Sequence, residues 1–314
     1  MKVLKKKIAV FIGTSSFKFL DKKKISELRR KNIEIKFNPK KRKLSEKELV
    51  YYAKDSNIII AGTEKYSSST LNKFQNLKFL FRLGAGDENI DHKTIRNLKI
   101  IYRKSKITPY IAVAELIIAL ILSLSRKITL HNDDLHKLKW KKQMGNLLFG
   151  KTVGIIGYGR VGKYLSYLLK NFGVKVLIYD PFKISKKQTN LINLLKKSDI
   201  ISMCASYKGG PPILNKKKLN LINKKSILIN TSRPELLDYK HLYSMIIADK
   251  ISGVGLDVFD KEPYEGELIN QNKNIILTPH IGSYAIEVRQ NMEREAVNSI
   301  IRYLNGSEKY NIRF

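Results

Sequence analysis

Residues 151–180 read KTVGIIGYGRVGKYLSYLLKNFGVKVLIYD and contain the pattern that determines the fold class. An apolar run at 153–156 is typical of a strand buried on both faces of a parallel sheet. The run is followed by G-x-G-x-x-G, formed by Gly157, Gly159 and Gly162. The first glycine permits a tight turn, the second lets the backbone approach a pyrophosphate, and the third lets the next helix pack closely on the strand. The pattern predicts a dinucleotide-binding βα unit.

The second apolar run of this stretch ends in Asp180, 23 residues after Gly157. A carboxylate at this place can accept hydrogen bonds from the adenosine ribose of NAD, and it would repel the additional phosphate of NADP. The helix between the two runs directs its N-terminal amides toward the phosphates. We therefore predict NAD as the cofactor, with NADP disfavoured. The alternative is a glycine-rich turn in a Rossmann-like domain that binds no dinucleotide.

The composition is that of a globular protein, and 314 residues are enough for two domains with sizeable cores. The single cysteine, Cys204, excludes internal disulfides and favours a reducing compartment. No apolar segment near the N-terminus is long enough for a signal peptide. The longest apolar region, 111–124, is too short to span a bilayer and contains Glu115. We therefore expect a cytoplasmic protein that does not enter the membrane.

The formal net charge of +33 raises the question of nucleic-acid binding, because such a field attracts polyanions at low salt. The charge comes mostly from lysines, which are spread over every segment of the chain. No zinc-finger, basic-zipper or aromatic RNA-binding signature accompanies them. We therefore expect solvated lysine-rich faces and no specific nucleic-acid partner.

Short apolar segments alternate with polar, helix-like segments on both sides of the glycine motif, which predicts α/β architecture with parallel sheets. The first of these regions contains Gly84 and Gly86 directly after a predicted strand, so its backbone amides could face an anion. An ordinary exit from a strand explains these glycines equally well. Residues 111–139 predict one long helix or two, and 283–305 predict an amphipathic helix.

Three polar segments follow later strands of the glycine-motif region, where open α/β sheets bind their ligands. They contain Arg233, Glu262 and His280. Each residue alone has an ordinary explanation: a surface cation, a turn carboxylate and a structural histidine. Together at one edge of a cofactor-binding sheet they favour a catalytic site.

With these motifs in place, the chain resembles the D-isomer-specific 2-hydroxyacid dehydrogenase family, most closely its phosphoglycerate-dehydrogenase-type members. The matching motifs occur in order at residues 82–91, 113–115, 150–162, 230–233, 253–263 and 277–282. The resemblance covers roughly residues 79–304, whereas the residues before 79 share only the alternation of strands and helices.

The resemblance implies two Rossmann-like domains with parallel sheets and an active site in the interdomain cleft. Residues 1–103 together with 285–314 would form the substrate-binding domain, and residues 104–284 would form the NAD-binding domain. We also expect a homodimer, with residues 111–140 at the subunit contact. No metal site is expected.

The same resemblance implies roles for the three candidate catalytic residues. His280 would protonate the carbonyl oxygen of a 2-keto acid as hydride arrives from NADH, and it would act as the base in the oxidative direction. Glu262 would pair with the other ring nitrogen and hold the tautomer of the histidine. Arg233 would bind the substrate carboxylate, a task suited to a planar bidentate donor.

The remaining implied site residues bind cofactor or substrate. The glycine loop would bind the pyrophosphate through Gly157, Gly159, Arg160, Val161 and Gly162. Asp180 would bind the adenosine ribose. The nicotinamide end would contact Thr231, Asp257 and Ser283. The substrate carboxylate would contact Gly84, Ala85 and Gly86 as well as Arg233.

Two departures from the family pattern affect these expectations. Pro234 stands where the family usually has glycine, and it is expected to alter the local backbone and narrow the substrate pocket. Residues 203–206 lack the apolar-proline segment that the family commonly places against the adenine. Glu262 distinguishes the chain from formate dehydrogenases of the same fold, which have glutamine there.

The expected function is hydride transfer between NAD and a D-2-hydroxy acid or 2-keto acid, with 3-phosphoglycerate among the possible substrates. The alternative is an NAD(H)-sensing or corepressor-like protein without turnover.

Overall fold

The computed structural model describes residues 8–14, 17, 26–28, 33–84, 86–182, 188–271 and 273–307. The chain forms two compact units: unit 1 comprises Met1–Pro109 and Tyr284–Phe314, and unit 2 comprises Tyr110–Ser283. Each unit is built on one parallel sheet, which confirms the predicted α/β class with two parallel sheets. Within the described ranges, none of the helices is both long and apolar enough to cross a membrane.

Unit 1 is a five-stranded sheet in the order β2-β1-β3-β4-β5, with helices between the strands. Its elements before residue 105 are β1 (Ile8–Ile12), β2 (Ile33–Phe37), α1 (Glu46–Ala53), β3 (Ile58–Ala61), α2 (Ser68–Leu71), β4 (Phe79–Arg82), α3 (His92–Asn97) and β5 (Ile101–Lys104). The central strands β3 and β4 are buried at every position, because core side chains cover both faces of the sheet. A capping box formed by Ser45 and Glu48 begins α1.

Unit 2 is a six-stranded sheet in the order β11-β10-β9-β8-β6-β7. Its elements are α4 (Tyr110–Arg126), α5 (Ile128–His136), β6 (Thr152–Ile156), α6 (Arg160–Lys170), β7 (Lys175–Tyr179), α7 (Leu191–Lys197), β8 (Ile200–Met203), α8 (Lys216–Leu219), β9 (Ile227–Asn230), α9 (Tyr239–Ile247), β10 (Gly253–Leu256) and β11 (Ile275–Leu277). The region 111–139 therefore forms two helices, which are separated at Lys127, a residue with φ of 54°.

The strand order of unit 2 defines where a ligand can bind. The chain leaves β6 toward β7 on one side and then crosses to β8 on the other side. In open α/β sheets, ligands bind at such a switch point, outside the carboxyl ends of the strands. The register aligns these ends in one row, formed by Ile156, Met203, Asn230, Leu256 and Leu277. The segments that follow these strands therefore leave the sheet at the same edge.

The last helix, α10 (Ile286–Leu304), returns the chain to unit 1. Its apolar side chains recur at helical spacing and pack in the core of unit 1 with residues of β1, β3 and β4. They are Met292, Ala296, Val297 and Ile300. The carboxylate of Glu295 accepts hydrogen bonds from Ser105 Oγ (2.5 Å) and from the amide of Lys106 (2.9 Å), which joins the helix to the end of β5.

Candidate active site

The glycine loop after β6 has little room for any side chain. Gly157 has φ of +102°, and a Cβ there would lie 2.3 Å from the amide nitrogen of Ala205. A Cβ at Gly162 would lie 2.1 Å from the carbonyl oxygen of Gly157, so the first turn of α6 touches the loop. A Cβ at Gly159 would instead meet no described atom within 4 Å, so this residue faces open space. Two glycines thus permit close packing, and one leaves space for a ligand.

The N-terminus of α6 faces the same loop. Gly159 is its N-cap residue and has no side chain, so no side-chain hydrogen bond caps this end of the helix. Arg160 is exposed and Val161 is half-buried. An uncapped N-terminus with a positive helix dipole is suited to a phosphate group.

Asp180 lies directly after β7 and beside the glycine loop. Its carboxylate accepts hydrogen bonds from the amides of Tyr158 (2.7 Å) and Phe182 (2.8 Å). The residue is 9% exposed, and these backbone contacts hold its carboxylate beside the loop. The structure therefore places a carboxylate next to the predicted dinucleotide site, at the position where the sequence predicts a ribose contact.

Arg233 follows β9 in extended conformation, with φ of −140° and ψ of 140°. This conformation is the one favoured for a residue that precedes proline. Pro234 begins a short 3-10 helix, Pro234–Leu236, where its missing N–H is not needed. The amide of Leu237 donates to the carbonyl oxygen of Pro234 at 3.0 Å, which closes this turn.

His280 and Glu262 form a direct pair. Nδ1 of His280 lies 3.1 Å from both carboxylate oxygens of Glu262. Since Nδ1 faces the carboxylate, Nε2 is the ring nitrogen that can face a substrate. The side chains are 40% and 27% exposed, so the pair is accessible from solvent. The amide of Phe259 donates to Glu262 Oε1 at 3.3 Å and helps to orient the carboxylate.

Asp257 holds the turn that carries His280. His280 has φ of 55°, a left-handed conformation that is uncommon outside glycine and requires support from its surroundings. The fully buried carboxylate of Asp257 accepts hydrogen bonds from Thr278 Oγ1 (2.6 Å), the amide of Ile281 (2.7 Å) and the amide of Gly282 (2.8 Å). Burial raises the pKa of the Asp257 carboxyl, and these three donors oppose the increase.

The sequence predicts that Asp257 contacts the nicotinamide, whereas the structure shows it supporting the turn that carries His280. The two functions are compatible because each carboxylate oxygen can accept more than one hydrogen bond. Thr278, which donates to this carboxylate, was not among the predicted site residues. Only the folded chain brings it to Asp257, 21 residues earlier in the sequence.

Thr231 lies between β9 and Arg233, and it is 8% exposed. Its buried Oγ1 has no hydrogen-bond partner within the described part of the chain. A buried hydroxyl without a partner is rare and suggests that a ligand group completes its hydrogen bonding. Ser283, the last residue of unit 2, is half-buried. The unpartnered hydroxyl, the space beside Gly159 and the carboxylate of Asp180 together fit a bound dinucleotide.

The predicted substrate-binding glycines belong to unit 1. Gly84 has φ of 152°, and a Cβ there would lie 2.5 Å from Nη1 of Arg82, so the backbone runs against the guanidinium group. The same Nη1 donates to the carbonyl oxygen of Leu83. Gly86 follows, and Ala85 lies outside the described residues. The role of all three in substrate binding stays a prediction.

Residues 118–282 match the family model for the NAD-binding domain of D-isomer specific 2-hydroxyacid dehydrogenases. The chain is 32% identical over 268 residues to a glyoxylate reductase of Thermococcus litoralis, covering 79% of this chain and 80% of the relative. It is 30% identical over 259 residues to a hydroxypyruvate reductase of Thermotoga maritima, covering 79% of this chain and 84% of the relative.

The fold is similar to that of the D-lactate dehydrogenase of Aquifex aeolicus, solved in complex with NAD and lactic acid. The TM-score is 0.77 at 26% identity, with 95% of this chain and 96% of the other covered. The match to the family model, the sequence relatives and the fold all agree with the motifs first noted in the sequence. The chain belongs to the D-isomer specific 2-hydroxyacid dehydrogenase family.

Proposed function

We propose that the protein is an NAD-dependent dehydrogenase that interconverts a small 2-keto acid and the corresponding D-2-hydroxy acid. The observation that carries the proposal is the pair formed by His280 and Glu262, at the carboxyl edge of the sheet that also bears the dinucleotide loop. The names of the relatives, a glyoxylate reductase and a hydroxypyruvate reductase, support a short substrate. A phosphorylated acid such as 3-phosphoglycerate stays among the candidates.

The nicotinamide ring, when bound, supplies the hydride to the keto carbon or accepts it in the reverse direction. His280 donates a proton from Nε2 to the carbonyl oxygen, which gains negative charge as the carbon is reduced. Glu262 accepts a hydrogen bond from Nδ1 and stabilises the protonated imidazole before transfer. In the oxidative direction, Nε2 accepts the proton of the hydroxyl group.

Arg233 binds the substrate carboxylate in this proposal, because a guanidinium group can donate two parallel hydrogen bonds to it. The positive charge also polarises the neighbouring carbonyl. Its side chain is half-buried, and Nη1 donates to the carbonyl oxygen of Ser232 at 2.8 Å. Amides of Gly84, Ala85 and Gly86 are proposed to bind the same carboxylate.

The residues of unit 2 that would hold the cofactor are those already described. The amides of Arg160 and Val161 would bind the pyrophosphate, and Asp180 would accept hydrogen bonds from the ribose hydroxyls. Thr231 Oγ1, Asp257 and Ser283 would lie along the nicotinamide end. The negative charge of Asp180 supports NAD as the preferred cofactor over NADP.

The test is NADH oxidation by the purified protein with glyoxylate, hydroxypyruvate, pyruvate and 3-phosphohydroxypyruvate. We expect turnover with at least one acid, and His280→Ala should lower kcat by about 10²–10⁴-fold because the proton donor is lost. NADH binding, followed by fluorescence, should stay within about threefold of wild type, since His280 does not hold the dinucleotide in this assignment.

A matched control is His241→Ala. His241 lies on α9 in the same unit, where its Nε2 contacts Asn220 Oδ1 at 2.8 Å on the surface, so kcat should not change. Tight NADH binding without turnover on any acid would contradict the enzyme and favour the NAD(H)-sensing alternative. Equal loss of NADH binding and turnover in His280→Ala would contradict the role of His280.

We further propose a homodimer that covers the exposed apolar segment between α4 and β6. Its large exposed side chains are Ile128, Leu135, Leu138, Trp140, Met144, Leu147 and Phe149. Leu138 and Met144 are 96% and 91% exposed. Several large apolar side chains exposed within one short segment indicate an interaction surface. The predicted contact at 111–140 begins before this segment and ends within it. A cytoplasmic location, favoured by the single cysteine, stays a prediction.

Light scattering after size exclusion tests the assembly. Wild type should have twice the 36.2 kDa of one chain, and the double variant Leu138→Asp/Trp140→Asp should have the mass of one chain. The control Ile192→Asp changes an exposed apolar residue of α7 outside the segment and should leave the mass unchanged. Wild type at the mass of one chain at micromolar concentration would contradict the dimer.

A further inference from the structure

Asn230 and Tyr239 connect two segments of the candidate active site that are far apart in the sequence. Asn230 is the last residue of β9 and Tyr239 is the first residue of α9, and they are 0% and 4% exposed. Neither was among the predicted site residues. The side-chain amide of Asn230 donates to the carbonyl oxygen of Arg233 (3.0 Å) and to Tyr239 Oη (3.2 Å). Its Oδ1 accepts from the amide of Ser232 (3.0 Å), so the whole turn that bears Arg233 is bound to one side chain.

The hydroxyl of Tyr239 extends this connection to the next strand. It donates to the carbonyl oxygen of Val258 at 2.5 Å, just beyond the end of β10. Phe259 follows Val258 and donates its amide to Glu262 Oε1. One buried hydroxyl therefore lies between the segment that carries Arg233 and the segment that carries Glu262. Burial raises the pKa of Tyr239, so the hydroxyl stays protonated and can act as a donor.

The ring of Tyr239 is held independently of its hydroxyl. It packs edge-to-face on Tyr243, with ring centroids 5.5 Å apart. Tyr243 contacts Tyr264 at 6.0 Å, and Tyr264 stacks on Phe259 at 4.5 Å. These aromatic contacts keep the ring in place when the hydroxyl is removed, because they depend only on ring faces and edges.

We propose that Asn230 and Tyr239 are positioning residues that set Arg233 relative to the Glu262–His280 pair. This inference rests on the proposed dehydrogenase function. A 2-keto acid must present its carboxylate to Arg233 and its carbonyl oxygen to His280 at the same time. Since small misplacements of reacting groups reduce rates strongly, the two segments need a fixed separation. The hydrogen bonds of Asn230 and Tyr239 supply that constraint without contact with the substrate.

The test is Tyr239→Phe, which removes one oxygen atom and retains the ring packing. We expect kcat for the best 2-keto acid to fall about tenfold and KM to rise severalfold, because loss of the buried hydrogen bond to Val258 lets both segments move. The NADH dissociation constant should stay within twofold of wild type. A residue with only a structural role would lower the melting temperature and leave both kinetic constants of the folded enzyme unchanged.

A double-mutant cycle with Arg233→Lys tests whether Tyr239 acts through Arg233. If it does, Tyr239→Phe should reduce kcat/KM by less than threefold when it is added to Arg233→Lys. The same substitution in the wild-type background should reduce kcat/KM by much more. The matched control is Tyr243→Phe. This residue lies one turn further along α9 and donates its hydroxyl to Asp260 at 3.0 Å on the surface, so kcat and KM should stay within twofold of wild type.

Three outcomes overturn the inference: kinetic constants of Tyr239→Phe within twofold of wild type, full additivity with Arg233→Lys, or an equal loss in Tyr243→Phe. Failure of the underlying function has a different signature, because wild type itself would then turn over none of the four acids. The positioning role is thus judged only on an enzyme whose wild type is active.

Discussion

At the carboxyl edge of the unit 2 sheet, polar side chains bind one another across neighbouring loops, whereas at the same edge of the unit 1 sheet they lie buried beneath the loops. In unit 2, His280 pairs with Glu262, and both side chains are accessible to solvent. In unit 1, Glu64 is 2% exposed and Arg82 is 7% exposed. Glu64 accepts a hydrogen bond from the amide of Gly62 at 2.9 Å, and Arg82 contacts the carbonyl oxygen of Leu83.

The difference shows that charged side chains at the same edge of a parallel sheet can be either exposed to ligands or buried in the loops. Exposed groups such as His280 can exchange protons with a ligand. Buried charged groups such as Glu64 and Arg82 instead form hydrogen bonds with the loop backbone and with Asn89, which stabilises the turns after β3 and β4. Asn89 joins these turns, since its amide group donates to the carbonyl oxygens of Gly62 (3.2 Å) and Glu64 (2.5 Å). We therefore expect substitutions of Glu64 and Arg82 to act mainly on stability, and substitutions of His280 and Glu262 to act mainly on activity.

The largest stability effect is expected for Arg82→Met. The substitution removes a buried guanidinium group that donates to Asn89 Oδ1 and to the carbonyl oxygen of Leu83, and whose positive charge opposes the raised pKa of Glu64. Loss of a buried hydrogen bond to a charged group costs about 1.5–3 kcal/mol. Glu64→Gln should cost less than about 1.5 kcal/mol, because glutamine retains an acceptor for the amide of Gly62 and carries no charge to desolvate. Urea unfolding at pH 7, followed by circular dichroism, measures the free energy of unfolding of both variants. The double variant should recover part of the loss, and equal costs for the two single variants would contradict the charge argument.

The pH dependence of unfolding sharpens the same comparison. Burial raises the pKa of Glu64 above its value of about 4.3 in an unfolded chain, and the amide of Gly62 and Arg82 only partly oppose the increase. The folded state therefore binds more protons than the unfolded state in this range, so the contribution of Glu64 to stability falls as pH rises above about 4.3. As pH rises from 4 to 7, the free energy of unfolding of Glu64→Gln should therefore fall by less than that of wild type. Identical slopes of this free energy against pH would exclude a raised pKa of Glu64.

A smaller effect is expected for Asp180→Ala at the edge of unit 2. Removal of the carboxylate should weaken NADH binding by about tenfold and NADPH binding by less, because only NADPH gains from the loss of a negative charge near its phosphate. Direct titration of wild type and variant with NADH and with NADPH measures the ratio of the two dissociation constants. Glu265→Ala, which removes an exposed carboxylate 85 residues away in the sequence, serves as the control. An unchanged preference between the cofactors would exclude the ribose contact.

The fold class and the dinucleotide loop could be predicted because their signals are local. The apolar run before Gly157 requires burial on both faces, and the glycine spacing follows from contacts within one βα turn. The amphipathic pattern of α10 likewise predicts one buried face. Arg233, Glu262 and His280 each follow a strand, so a parallel sheet brings them to one edge whatever the details of packing.

The supporting residues could not be predicted because their partners lie far away in the sequence. Asp257 meets the amide of Gly282 over 25 residues, and Tyr239 meets Val258 over 19 residues. From the sequence alone, Tyr239 at the start of a helix is expected only to be buried in the core. Pro234 illustrates the reverse case, since the sequence indicates a disturbed backbone and the structure places the proline at the first position of a helical turn.

The sequence by itself determined the parallel α/β architecture, the dinucleotide loop and the three residues that lie at the carboxyl ends of strands. Backbone geometry and hydrophobic periodicity act over a few residues, so they are visible in the order of the amino acids. Only the tertiary structure decided which buried donors and acceptors meet, such as Asp257 with the turn of His280 and Tyr239 with Val258. Those contacts depend on the register of the strands and on the packing of side chains from separate elements, which no short stretch of sequence encodes.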